Sequence, residues 1–214
     1  MTKTRSTAPP RRERRKENRP AEIVAAAFQV FADKGFGAAK ITEVAQLAGV
    51  SKATVFVYFP TKEDLFRAVA RTVVSANFER LRTTAAASAM PLETFVPLLL
   101  QQAATLGERR IGAIARMLIG ESRTFPDLAK VWHDEVVAVM LGILTSTVAH
   151  AQARGEARAG DPRLIAFSIF GPMMAGVLFR EVFGDCAAEL PDLETLARQH
   201  AQIVLAGLAP TAGG

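Results

Sequence analysis

The chain has 214 residues, half of them hydrophobic and few aromatic, with a net charge of +5. This composition excludes a disordered chain, and the length allows one large domain or a small one plus a medium one. The single cysteine, Cys186, excludes an internal disulfide and fits a reducing cytoplasm.

The first stretch, Met1 to Pro20, is polar and carries Arg11, Arg12, Arg14, Arg15, Lys16 and Arg19. It has no apolar h-region, so it does not read as a secretory signal. Residues 1–19 read as a disordered basic arm that can follow a phosphate backbone or enter a minor groove. The basic excess lies at this end: residues 1–67 hold 13 Lys/Arg against 7 Asp/Glu, and residues 68–214 hold 13 against 14. A positive surface attracts phosphate without reading sequence.

Helical spacing then predicts an amphipathic helix over Glu22–Lys34, with Ile23, Ala26, Ala27, Val30 and Phe31 on one face. Pro20 suits its opening turn, and Gly35 its left-handed end. Phe36 is expected to tuck inward. Two short helices follow, at Thr42–Ala48 and Ser51–Phe59, and Pro60 stops the second of them. Thr61 and Asp64 make a capping-box pattern for a fourth helix, expected to run past Arg71 towards Ala85–Ala89.

Ile41 to Phe66 carries the strongest signal. Ala45 lies four residues before Gly49, where a small side chain lets two helices cross closely. Gly49 can take the positive φ of a tight turn. Val44, Ala48, Val50 and Val55 supply the apolar faces that fix the crossing angle. Ser51 caps the following helix and leaves its N-terminus free to face phosphate. This is how a helix-turn-helix DNA reader is built.

The sequence here resembles the tetracycline-repressor (TetR) family of bacterial transcription regulators. The resembling pieces are Ile23–Phe36, Ile41–Val50 and Ser51–Leu65, in that order, with a weaker match at Glu121–Leu128. The resemblance implies an all-α homodimer of about nine helices per chain. A three-helix head at residues 20–66 would bind DNA, and a larger helical body at residues 67–210 would bind ligand and dimerise. Two positions depart from the family pattern. Lys40 stands where the family has Ser or Thr, so it can meet phosphate by charge but cannot cap as a hydroxyl does. Phe56 stands where the family favours Tyr; it is expected to keep the packing and lose a hydroxyl bond to the DNA backbone, with Tyr58 offering a replacement.

Within the third helix, Lys52, Ala53, Thr54 and Val57 are expected to face base edges, Lys52 towards guanine and Ala53 or Val57 towards a thymine methyl. Val55 and Phe59 should point back into the head. Lys40, Ser51, Thr54, Tyr58 and Lys62 are the candidate phosphate contacts. Lys62 sits in the first turn of its helix, where its charge opposes the dipole, a placement that makes sense beside phosphate.

Beyond Met90, helices are predicted at Leu92–Leu106, Ile111–Arg123, Pro126–Arg154, Pro162–Phe183 and Leu193–Leu208. The apolar run Leu164–Phe179 lies between Arg163 and Arg180 and is short for a membrane span, so it reads as a helix enclosed by its own domain and a partner subunit. Candidate pocket residues are Phe95, Leu99, Met117, Glu121, Trp132, Val136, Phe167, Phe170 and Met174, and Arg116 or His133 could add a polar contact. They suit an apolar or amphipathic effector. Candidate dimer residues on the last two helices are Phe170, Gly171, Met174, Val177, Leu178, Leu196, His200, Ile203 and Val204, with Gly171, Ala175 and Gly176 permitting close approach. Twofold symmetry predicts a palindromic operator in double-stranded DNA. No membrane partner, cofactor or metal is expected. The three histidines are far apart in sequence, and there is no phosphate loop or nucleophile motif, which argues against an enzyme. The remaining rival is a DNA-binding protein with no small-molecule effector.

Overall fold

A computed structural model describes residues 18–73, 90–106, 111–184, 186 and 189–210. The arm at residues 1–17 and the expected continuation of the fourth helix through residues 74–89 lie outside the described residues. Among the described residues there are nine helices and no strand. They are α1 (Arg19–Ala38), α2 (Ile41–Leu47), α3 (Lys52–Tyr58), α4 (Lys62–Val73), α5 (Leu92–Leu106), α6 (Gly112–Glu121), α7 (Pro126–Ala153), α8 (Pro162–Phe183) and α9 (Leu193–Leu208). The chain divides into two compact units, residues 1–69 and 70–214, and α4 contributes to both.

In the first unit α1 is broken at Gly35 (φ 80°, ψ 168°) and makes one further turn to Ala38. The break swings Phe36 into the interior, where it is 2% exposed. Phe31, Phe36 and Phe66 form a three-ring cluster with centroids 5.5–5.9 Å apart. Two of the contacts are edge-to-face, a geometry worth about 0.5–1.5 kcal/mol per pair beyond area burial. Ile23, Ala27, Val44, Val55, Leu65 and Val69 complete this small core.

The second unit is built around α8, which packs against α5, α6, α7 and α9. Two glycines set how closely. A Cβ on Gly176 of α8 would stand 2.6 Å from Leu196 Cδ2 and 3.2 Å from Leu193 Cδ2, both on α9. A Cβ on Gly112 of α6 would stand 2.9 Å from Glu181 Cβ, and the same Glu181 is ion-paired to Arg116 at 2.9 Å. Gly176 therefore lets α8 pack closely on α9 within the protomer.

Helix ends follow local chemistry. Asp161 accepts from Arg163 N–H, with Pro162 in the first turn of α8, and Asp192 accepts from Thr195 N–H, each at 2.8 Å. One feature of α7 is not in the pattern of the sequence. Its residues His133–Val137 form a π-turn, which splits an otherwise regular helix just after Trp132.

Helices α7 and α8 are long and apolar enough to cross a membrane by length and composition alone. The apolar run taken as short from sequence belongs to a 22-residue helix, because Arg163 and Arg180 are accommodated inside it. It contacts four other helices, yet Leu164, Phe167, Phe179, Val182 and Phe183 stay exposed, so its own protomer covers only part of it.

Candidate nucleic-acid interface

Helices α2 and α3 are held by a tight turn. Gly49 has φ 65°, Gly49 N–H donates to Gln46 O (3.1 Å), and Val50 N–H donates to Ala45 O (2.9 Å). This double bond pattern ends α2 in a left-handed cap, and only glycine takes that φ at no steric cost. Ser51 then opens α3. Its Oγ accepts from Thr54 N–H (3.1 Å) and lies 2.8 Å from Thr54 Oγ1. One hydroxyl proton is shared between those two oxygens, so the pair keeps one proton to donate outward.

Val55 is fully buried and anchors α3, and Phe59 is half-buried behind it. Lys52, Ala53, Phe56 and Val57 occupy the opposite arc and are exposed, Val57 at 78%. Phe56 is 40% exposed, with Lys52 Nζ 5.7 Å from its ring centre. Tyr58 is 37% exposed.

The flanking cations differ in their engagements. Lys40 is exposed and precedes α2, and its backbone N–H donates to Glu43 Oε2 (3.2 Å). An ammonium has no lone pair, so only this half of a capping box forms. Glu43 Oε1 also accepts from Lys34 Nζ (2.8 Å). The bond to Lys34 first, and then the Lys40 N–H, hold the Glu43 carboxyl below its ordinary range. Lys62 Nζ lies 4.5 Å from the centre of the Phe36 ring and donates to Gly37 O at 3.3 Å. Its placement in the first turn of α4 thus has a reason within the fold: it ties α4 to the end of α1. Thr61 and Asp64 complete a reciprocal capping box, with Asp64 N–H donating to Thr61 Oγ1 (3.0 Å) and Thr61 N–H to Asp64 Oδ2 (3.2 Å).

The family model for bacterial regulatory proteins of the tetR family matches residues 23–69, and that for the tetracyclin repressor-like C-terminal domain matches residues 93–192. The chain belongs to the tetR family. It is a DNA-binding transcriptional regulator and not an enzyme, like its relatives. It is 25% identical over 160 residues to the fatty acid metabolism regulator protein of Bacillus subtilis, covering 73% of this chain and 81% of that one. It is 29% identical over 116 residues to the regulator RutR of Escherichia coli, covering 54% and 47%. A crystal structure of a tetR-family regulator from Mesorhizobium loti superposes with a TM-score of 0.72 at 27% identity, covering 91% of this chain and 98% of that one. The fatty acid degradation regulator FadR of Bacillus halodurans gives 0.74 at 25% identity, covering 88% and 98%.

In this tetR-family chain the body residues singled out from sequence fall in different places. Phe95, Leu99, Met117, Trp132 and Val136 are buried. Glu121, Phe170 and Met174 are half-buried. Phe167 is 64% exposed and lines an open groove with Leu164, Leu141 and His133, so it is not brought into the interior with the others. Of the subunit-contact candidates, Val177 is buried within the protomer and Leu196 abuts Gly176. His200 is half-buried, with Nε2 3.0 Å from Ile169 O, and so links α9 to α8. Gly171, Leu178 and Val204 are half-buried, and Ile203 is exposed. Arg116 is engaged with Glu181, and His133 is exposed beside Asp134.

Proposed function

We propose that this tetR-family regulator is a repressor that binds a palindromic operator as a homodimer and leaves it when an apolar or amphipathic effector enters the body. The observation that carries the reading is the build of α3. One side is anchored by Val55, the N-terminus is closed by Ser51, and Lys52, Ala53 and Val57 are left facing outward. That is the arrangement a major groove requires. Thr54 joins the base-facing set at the edge of α3. Lys40, the Ser51–Thr54 hydroxyl pair, Tyr58 and Lys62 meet phosphate, and residues 1–19 follow the DNA backbone as a basic arm. The regulator acts in the cytoplasm, at the nucleoid when bound.

Dimerisation uses α8 and α9. Exposed Ile203 and the half-buried Phe170, Gly171, Met174, Leu178 and Val204 support this, because an apolar helix that its own protomer leaves partly open calls for a second copy. The effector lies in the body among Phe95, Leu99, Met117 and Val136, near Trp132. The fatty-acid regulator among the relatives supports an effector with a long hydrocarbon chain. Bound effector favours a spacing of the two heads that no longer fits both half-sites.

The test is to select bound duplexes from a random library, then titrate the selected DNA with a long-chain fatty acid and with its coenzyme A thioester. The reading expects one of them to lower DNA affinity at least tenfold. Binding to the body with unchanged DNA affinity defeats the effector reading and leaves a DNA-binding protein without this switch.

A further inference from the structure

We infer that Phe56 is a positioning residue for Lys52, and that the two act as one unit that reads guanine. The inference rests on the reading of α3 as the helix that enters the major groove. Lys52 is the sole charged side chain among Lys52–Tyr58, and no acidic residue stands in the first turn of that helix to hold it. The positive end of the helix dipole repels its ammonium. What stands beside it is the ring of Phe56, one turn on, with Nζ 5.7 Å from the ring centre. Side chains on a helix lean towards its N-terminus, so a ring at i+4 reaches back under a side chain at i.

Phe56 is otherwise hard to explain. It is 40% exposed on the same arc as Lys52, Ala53 and Val57, and α3 is already anchored by Val55. An exposed ring face does have a use beside a flexible cation. A free lysine loses several rotatable bonds' worth of entropy when it is fixed on a base. A ring that gathers the ammonium beforehand reduces that loss and biases the side chain towards one direction. The three N–H donors remain, and those turned away from the ring suit the O6 and N7 acceptors of guanine. Ser51 and Thr54 are bonded to each other (2.8 Å) and keep one proton to donate outward, so the cation suited to the paired acceptors of guanine is Lys52. The unit therefore confers preference at the base pair that Lys52 reaches, through a residue that itself carries no hydrogen-bonding group.

The test uses the full chain and a randomised duplex library, with wild type, K52A, F56L and F56W. Wild type should enrich guanine at one position of each half-site, and K52A should lose that enrichment. F56L should relax the guanine preference by about two- to fivefold, the range of an exposed cation–π contact, while the salt dependence of binding stays that of wild type. F56W keeps a ring and should keep the preference. The inference is overturned if F56L retains the wild-type preference, if it weakens all sequences equally, if F56W loses the preference, or if K52A retains it. Should F56L melt early by circular dichroism, F56W decides the matter, since its loss of guanine preference would be fatal. A wild type that enriches no sequence is a different failure, that of the major-groove reading itself.

Discussion

Arg71 grips Glu135 with a fork: Nε donates to Oε2 and Nη2 to Oε1, each at 2.9 Å. The pair joins the last turn of α4 to the π-turn of α7. The carboxylate bonds, foremost, raise the Arg71 pKa above its ordinary value. Arg71 is 64% exposed, so solvent screens the pair heavily. Arg71→Ala should cost only about 0.2–1 kcal/mol in a urea melt, and part of that cost should vanish in high salt. A loss of several kcal/mol would mean that the fork holds the fold itself.

Gly49 and Gly176 should fail for different reasons. A Cβ on Gly49 meets nothing within 4 Å, yet the residue has φ +65°. Gly49→Ala should therefore cost about 1–2 kcal/mol through strain alone, and Gly49→Asn less, because Asn tolerates the left-handed region. Gly176→Ala has no such strain but meets the methyls of Leu193 and Leu196. These are the ends of flexible side chains, so the expected cost is about 1–3 kcal/mol. At Gly171, inside α8 with nothing within 4 Å, Ala should raise protomer stability by about 0.5–1 kcal/mol. The denaturant midpoints of the four variants check the ranking.

Lys62 has two duties to separate. Lys62→Ala should lower stability by about 0.5–1 kcal/mol through loss of the Phe36 contact and the bond to Gly37 O. If Lys62 also meets phosphate, the slope of log affinity against log salt should fall by about 0.9. A stability loss with an unchanged slope would confine Lys62 to the fold.

Acid should loosen the head through Glu43. Its carboxyl is held below the ordinary value of 4.5 by Lys34 and by the Lys40 N–H. A folded pKa below the unfolded one contributes stability that is present above the unfolded value and is lost as pH falls through the folded value. Stability should thus decline with acidification below pH 4.5, and Glu43→Gln should flatten that part of the curve. An unchanged acid limb in the variant would remove Glu43 from the account.

The sequence made the helix ends legible wherever a local rule sets them. Ser51, Thr61, Asp161 and Asp192 cap as their residue types predict, and Gly49 turns as only glycine does easily. What it concealed depends on tertiary neighbours. The role of Gly176 is decided by Leu193 and Leu196, which lie on another helix. The π-turn at His133–Val137 breaks a periodic pattern with no Pro or Gly to announce it. The contact of Lys62 with Phe36, 26 residues away in the chain, is a further reason for its placement that local spacing does not show.

The most direct measurement is a footprint of the full chain on DNA selected from a random library, with the number of protomers per site counted by mass. The account predicts a twofold-symmetric site whose half-sites lie about one helical turn, or a multiple of it, apart, occupied by an even number of protomers. An asymmetric site occupied by a single protomer, or binding without sequence preference, would contradict it.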